Sequence, residues 1–210
     1  MPSFTGSIMP PAQYPSLKGK TAYVTGGAGG IGEAICEAFA RNGTDVGILD
    51  INETAANAVA EKLVATGIRA NACGCDLRDI AELQSALDRL KADLGPADIL
   101  VNNAAHDQRH DWRDMTPAYW DERMAVNLRH MFFAMQKVAP WMIERHGGSI
   151  INFSSTSWKL KMATLPAYTT AKAAVHGLTK SFQMELGKSN IRVNTVYPGW
   201  VMTERQKQLW

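Results

Sequence analysis

The sequence predicts an α/β fold: one parallel sheet, doubly wound, with helices on both faces. Two observations predict it. Short apolar runs alternate with amphipathic stretches along the chain, which is the pattern of strands feeding crossover helices. The glycine-rich and polar clusters fall at the ends of the apolar runs, where such sheets place their ligand sites. A length of 210 residues, 46% hydrophobic and 20% charged, suits one globular domain.

Residues 1–19 read as an N-terminal arm, rich in proline and serine, ahead of a domain spanning 20–210. Thr21-Ala22-Tyr23-Val24-Thr25 is the first strand. Gly30 to Asn42 is a helix, with Ile31, Ala34, Ile35, Ala38 and Phe39 at helical spacing and Asn42-Gly43 as its stop. Val46 to Leu49 is the second strand, ending at Asp50, and Asn52 caps a helix to about Ala65. Arg69 to Cys75 is the third strand, Asp79 to Leu94 the third helix, and Ile99 to Val101 the fourth strand. A long helical stretch runs from Pro117, capped by Thr116, towards Arg145. Pro140 is expected to bend or interrupt it. Ser149 to Phe153 is the fifth strand, Ala167 to Lys188 a helix, and Ile191 to Val196 the sixth strand. Right-handed crossovers make the whole doubly wound.

Composition excludes several function classes. A net charge of +2 gives no strong attraction to nucleic acid or anionic membrane. No apolar run approaches the roughly 18 residues of a membrane span, and the start does not read as a signal peptide. A cytoplasmic protein is expected. Three cysteines, Cys36, Cys73 and Cys75, argue against a disulfide scaffold. Cys73-Gly74-Cys75 reads either as half a metal site or as small apolar strand residues. No second pair follows, which favours the latter.

The turn Thr25-Gly26-Gly27-Ala28-Gly29-Gly30-Ile31-Gly32 joins the first strand to the first helix. Glycine lets the backbone turn tightly and approach a pyrophosphate, and the helix N-terminus offers free N–H groups to it. Two frames fit: G-x-G-x-x-G on Gly27, Gly29 and Gly32, or T-G-x-x-x-G-x-G on Gly26, Gly30 and Gly32. No Gly-Lys-Ser/Thr follows, which disfavours a P-loop. Asp50 lies 18 residues past Gly32 at the end of the second strand. A carboxylate there accepts hydrogen bonds from adenosine ribose hydroxyls and repels a 2′-phosphate. Ile51 follows, with no basic residue in the turn, so NAD is favoured over NADP. The alternative is an aspartate that caps the next helix. Asp76-Leu77 and Asn102-Asn103-Ala104-Ala105 end the third and fourth strands. They either pack on the adenine side of a dinucleotide or satisfy loop backbone groups.

Tyr168 and Lys172 stand at i and i+4 on one helix and share a face. A phenol ionises near pH ~10, and a neighbouring ammonium with a cationic nicotinamide favours the phenolate. Tyr168 is therefore the candidate acid/base for an alcohol or carbonyl oxygen. Ser155, 13 residues earlier at the end of the fifth strand, is placed to hold the same oxygen.

With these motifs the chain resembles the short-chain dehydrogenase/reductase family over residues 18 to about 205. The carrying residues are Thr25 to Gly32, Asp76, Asn102 to Ala105, Asn127, Ser155, Tyr168, Lys172 and Pro198-Gly199. The resemblance implies a Rossmann-type fold, and Tyr168 as acid/base with Ser155 orienting the substrate oxygen. It implies that Lys172 holds the nicotinamide ribose and lowers the tyrosine pKa, and that Asn127 anchors a water in the proton relay. Gly26, Ala28, Gly29, Gly30, Ile31, Gly32, Asp50, Ile51, Asp76, Leu77, Asn103, Ala104 and Ala105 would line the dinucleotide, with Ala105 replacing the usual glycine. Pro198, Gly199, Val201 and Thr203 would frame the nicotinamide. It also implies a homodimer or homotetramer. Against the family pattern the chain stops at Trp210, before a seventh strand and a substrate-covering lid. An incomplete C-terminal end is therefore expected.

A narrower resemblance, to bacterial sugar 1-dehydrogenases of this family, rests on three stretches and on Ser157-Trp158. The stretches are Tyr14 to Lys20, Tyr119 to Arg123 and Asn127 to Met131. It implies oxidation of an aldose at its anomeric carbon to a lactone. His106, Asp107, Gln108, Arg109 and His110 cluster at the expected pocket edge. They read as sugar contacts, as a solvated loop or, least well, as metal ligands; the chemistry needs no metal. Trp200 is a candidate sugar platform, and Trp158 reads as platform or packing. Trp120, Met124, Leu128, Met131, Phe132 and Met135 form an apolar stripe, read as core packing with a residual oligomer contact. Two other readings stay open: hydride chemistry on another alcohol or ketone, such as a 3-oxoacyl chain or polyol, and a non-catalytic dinucleotide-binding protein.

Overall fold

A computed structural model describes residues 12–209. Residues 1–11 of the expected arm lie outside the described residues. In its remainder, Pro15–Leu17 form a 3₁₀ turn. The Tyr14 amide donates to Asn42 Oδ1 at 2.6 Å and the Leu17 carbonyl accepts from Thr44 Oγ1 at 2.9 Å.

Six strands form one sheet: β1 (Thr21–Thr25), β2 (Asp45–Asp50), β3 (Ala70–Gly74), β4 (Ile99–Asn102), β5 (Gly148–Phe153) and β6 (Ile191–Val196). They lie side by side in the order β3-β2-β1-β4-β5-β6, and every pairing is parallel. The order reverses at β1, so the gap between β1 and β4 is the switch point where doubly wound sheets bind ligands. Helices α1 (Gly30–Arg41), α2 (Glu53–Val64), α3 (Ile80–Leu94), α4 (Pro117–Met124), α5 (His130–Glu144), α6 (Pro166–Leu186) and α7 (Glu204–Leu209) complete the order. The α/β expectation holds.

The sheet is covered on both faces because successive strand side chains point opposite ways. Ala22, Val24, Val46, Ile48, Ile99 and Val101 pack with Cys36, Val59 and Leu63 beneath α1 and α2. Tyr23, Leu49, Leu100 and Ile150 pack with Leu83, Leu87, Leu90, Met135, Met142 and Leu186 beneath α3, α5 and α6. Both faces are apolar, as an all-parallel sheet requires.

Local signals set the ends. Asn52 accepts from the Ala55 amide at 3.1 Å and Asp79 from Ala81 and Glu82 at 2.8 and 3.1 Å. Thr116 accepts from Tyr119 at 3.2 Å, with Pro117 at the first helical position.

The long helical stretch departs from expectation. Its irregular point is a π turn at Ala125–Arg129 between α4 and α5, whereas α5 runs on through Pro140 to Glu144. Pro140 and Gln136, whose carbonyl loses its intrahelical partner, are both exposed, on the solvent side of the helix. The apolar stripe changes on either side of the turn. Met131 and Met135 are buried after it, but the buried residue of α4 is Arg123, while Trp120 and Phe132 stay over a third exposed. No helix among the described residues is long and apolar enough to cross a membrane.

The three cysteines are free and buried, and burial pushes the thiols of Cys36 and Cys75 up to about 12. They are the small apolar residues of the second reading. Among the described residues no group of three or more His, Cys, Asp or Glu side chains is placed to hold a metal ion.

Candidate active site

The carboxyl ends of all six strands open into one cleft of about 1440 Å³. Its floor is the turn after β1. Gly26 and Gly30 have φ of +67° and +58°, which glycine adopts freely. A Cβ on Gly32 would stand 1.9 Å from the Gly26 carbonyl oxygen. Gly29 is extended with open space around it. The geometry therefore requires glycine at the three positions of the T-G-x-x-x-G-x-G frame; of the other frame it also restricts Gly27, whose Cβ would stand 2.9 Å from Ile48 Cγ2, and leaves Gly29 open. Thr25 Oγ1 accepts the amides of Asn103 and Ala104 at 3.0 and 3.1 Å, and Asn103 Nδ2 donates to the carbonyls of Thr25 and Gly26. The turn after β1 is thus sewn to the loop after β4 across the switch point.

Asp50 ends β2 with both oxygens on backbone amides: Oδ2 accepts from Ala28 and Oδ1 from Asn52, each at 3.0 Å. The cap of α2 is Asn52 itself, so Asp50 is free of that duty. Each oxygen keeps a lone pair for a hydroxyl donor. Gly26, Gly29, Gly30, Ile31, Gly32, Asp50, Ile51, Asp76, Leu77, Asn103, Ala104 and Ala105 line the cleft, as do Pro198, Gly199, Val201 and Thr203. Ala28 does not; its amide serves Asp50 instead.

Ser155, Tyr168 and Lys172 meet on the opposite wall. Ser155 Oγ accepts the Ser157 amide at 3.1 Å and hydrogen-bonds the Tyr168 phenol. Lys172 is 1% exposed; its Nζ donates to the Phe153 carbonyl at 2.7 Å and lies 5.8 Å from the centre of the Tyr168 ring. Burial pushes the Tyr168 phenol up to about 12 and Asp107 adds to it, while the Ser155 hydrogen bond and Arg205 act in the opposite sense. Burial also brings the Lys172 ammonium down to about 7.

Asn127 sits in the π turn, fully buried and off the cleft wall. Its Oδ1 accepts the His106 amide at 2.9 Å and its Nδ2 donates to the Arg123 and His106 carbonyls at 3.0 and 3.2 Å. The side chain is consumed in tying the loop after β4 to α4. His130, one turn on, is buried beside Lys172, and burial brings its imidazole to about 3.

Of the substrate candidates, His106 and Trp200 line the cleft. Trp158 does not: it packs 6.2 Å from the Tyr197 ring, with Lys159 over it, and donates to Ser154 Oγ at 3.3 Å. Its packing reading is the correct one. A row of charges runs along the cleft that sequence reasoning missed. Arg78 grips Asp76 and reaches Glu122 at 2.9 Å; Glu122 also holds Arg123, which contacts His106 and lies 5.0 Å over the Tyr119 ring. The hydrogen bonds of Arg78 hold the Asp76 carboxyl below its usual range. Asp107 accepts from Arg205 Nε and Gln206 Nε2 of α7, both at 2.9 Å. No spacing signal announces the links that join them, because Arg78 and Glu122 lie 44 residues apart and Asp107 and Arg205 lie 98 apart.

The model of the short chain dehydrogenase family matches residues 20–210. The chain is 47% identical to a probable galactose dehydrogenase of Rhizobium meliloti, over 96% of this chain and 79% of that one. It is 46% identical to a D-xylose 1-dehydrogenase of Caulobacter vibrioides, over 95% and 79%. Among solved structures it resembles a 7α-hydroxysteroid dehydrogenase complexed with NADH and a 7-oxo bile acid, with a TM-score of 0.88 at 36% identity. That match covers 92% of this chain and 76% of the other.

Proposed function

The chain belongs to the short chain dehydrogenase family, an oxidoreductase on a Rossmann-type sheet that works with a nicotinamide dinucleotide, and we propose that it oxidises an aldose at the anomeric carbon with NAD. The observation that carries the chemistry is the meeting of Ser155, Tyr168 and Lys172 on one wall of a cleft whose other end is the Gly26–Gly32 turn and Asp50. The sugar reading is supported by the two relatives at 46–47% identity that are named for galactose and xylose.

The residues fit the cofactor. The N-terminus of α1 faces the cleft through Gly30, Ile31 and Gly32, where a pyrophosphate would meet free amides. Asp50, already fixed by two amides, would take the adenosine ribose hydroxyls, and its charge would repel a 2′-phosphate. When bound, the nicotinamide supplies the hydride acceptor. Ser155 Oγ holds the reacting hydroxyl, and Tyr168 Oη takes its proton as the carbonyl forms. Lys172 would hold the nicotinamide ribose and, titrating near neutrality, would take the proton on at Nζ. The Asn127 backbone carries a water beyond it. Trp200, His106, Met162 and Leu165 close the substrate end. The half-exposed Trp120, Phe132 and Ile143 on α4 and α5 would bury against a second copy in a dimer or tetramer.

A panel of aldoses, polyols and ketones, read by NADH absorbance with NAD and NADP, tests this. Aldose oxidation with NAD is expected; turnover confined to polyols, ketones or NADP would overturn it.

A further inference from the structure

Besides Ser157 Oγ, two buried polar atoms of cleft-lining residues have no partner within the protein: Arg109 Nη1 and Gln206 Oε1. They are a donor and an acceptor. Leaving either buried and unpaired costs free energy, so each marks a place for a ligand atom.

Their surroundings are built. Arg109 lies in the loop after β4. The next residue, His110, latches that loop: its amide donates to the Thr164 carbonyl at 2.9 Å, and its ring sits 3.4 Å from the Ala167 amide and 5.2 Å from the Tyr119 ring. Ala167 precedes Tyr168, so the latch puts Arg109 at the reacting end of the cleft. The other basic groups lining that cleft are occupied. Arg78 is held by Asp76 and Glu122, Arg123 by Glu122, Arg205 by Asp107, and Lys172 by the Phe153 carbonyl. Among the described residues Arg109 makes no ion pair. The orientation of Gln206 is fixed by chemistry, because Asp107 accepts only, so the Gln206 amide nitrogen must face it and Oε1 must face away.

We infer that Arg109 and Gln206 are the specificity-determining pair for the substrate's hydroxyl groups. Substrate hydroxyls take a hydrogen bond from Arg109 and give one to Gln206. This deepens the aldose reading and rests on it. A carboxylate would satisfy Arg109 but has no proton for Gln206, and an apolar alcohol satisfies neither. The pair therefore favours a neutral sugar over a sugar acid or a simple alcohol.

The test uses the whole protein with NAD, the aldose it oxidises best, the deoxy-aldoses derived from it and the matching uronic acid. Arg109→Met and Gln206→Met are each expected to raise the aldose KM about tenfold to a hundredfold. Arg109→Lys is expected to recover part of that loss. NADH affinity, within twofold of wild type, shows that the variants are folded. One deoxy-aldose should lose affinity in the wild type and lose no more in Arg109→Met, since the contact is already gone. An unchanged aldose KM in both variants overturns the proposal, as does a uronic acid preferred to its parent aldose. A wild-type protein that oxidises no aldose overturns the sugar reading, and this one with it. One that oxidises aldoses while the variants keep their KM overturns only the proposal.

Discussion

Lys172 Nζ lies 5.8 Å from the centre of the Tyr168 ring and spends its hydrogen bond on the Phe153 carbonyl, not on the phenol. The two residues share a helix face, yet the protein alone leaves the phenol protonated near neutrality. In the mechanism we propose, proton transfer at Tyr168 would therefore draw on the Ser155 hydrogen bond and on the cationic ring of the oxidised cofactor. Tyr168→Phe removes the proton acceptor and is expected to lower kcat by about 10²- to 10⁴-fold, with NAD affinity nearly intact. Steady-state rates and NADH titration check this; a variant keeping half the wild-type kcat would refute the assignment.

Lys172 also makes a stability prediction. Its folded value is about 7 against an ordinary 10.5, so between these the unfolded chain binds more protons than the folded one. Stability of the cofactor-free protein should rise as pH goes from about 7 towards 10.5. It should fall as pH drops through 7, where the buried amine is forced to charge. Thermal melts across this range should show the rise, and Lys172→Met should flatten it.

Asp50→Ala is expected to weaken NAD by one to two decades, the worth of a charge-assisted hydrogen bond of roughly 1.5–3 kcal/mol. NADP should change less, because repulsion of its 2′-phosphate disappears too. Dissociation constants for both cofactors decide it, and an unchanged ratio would remove Asp50 from the specificity role.

The glycine turn gives a paired test. Gly32→Ala drives a methyl to within 1.9 Å of a backbone oxygen, so it should destabilise by about 1–3 kcal/mol and impair cofactor binding. Gly29→Ala meets open space on extended backbone and should leave the stability of the cofactor-free fold unchanged. Comparing their melting temperatures and NADH affinities separates packing from composition.

What was legible in the sequence follows from range. Strands, caps and the glycine turn are written in neighbouring residues, and they emerge within a residue or two of where periodicity puts them. Tyr168 and Lys172 were legible because four residues along a helix means one face. The charge row from Asp76 to His106 and the α7 contacts to Asp107 were not, since Asp107 and Arg205 lie 98 residues apart in sequence. Tyr168's raised value was missed for the same reason: burial is a property of the assembled fold. Trp158 has the composition of a sugar platform, and its packing beside Tyr197, off the cleft wall, is visible only in the assembled fold.

The π turn at Ala125–Arg129 makes this stretch of chain sensitive to length rather than to chemistry. Such a turn accommodates one residue more than α-helical winding would, so the faces before and after it are out of phase by about 100°. Substitutions there can be absorbed one side chain at a time. Removing a single residue would instead rewind the segment as ordinary helix. It would turn Glu122 and Arg123 away from the cleft while Met131 and Met135 stayed in the core. Insertions and deletions between 125 and 129 should therefore be far less tolerated than any exchange of residue type, and sequences aligned to this chain should keep its register there even where their side chains differ.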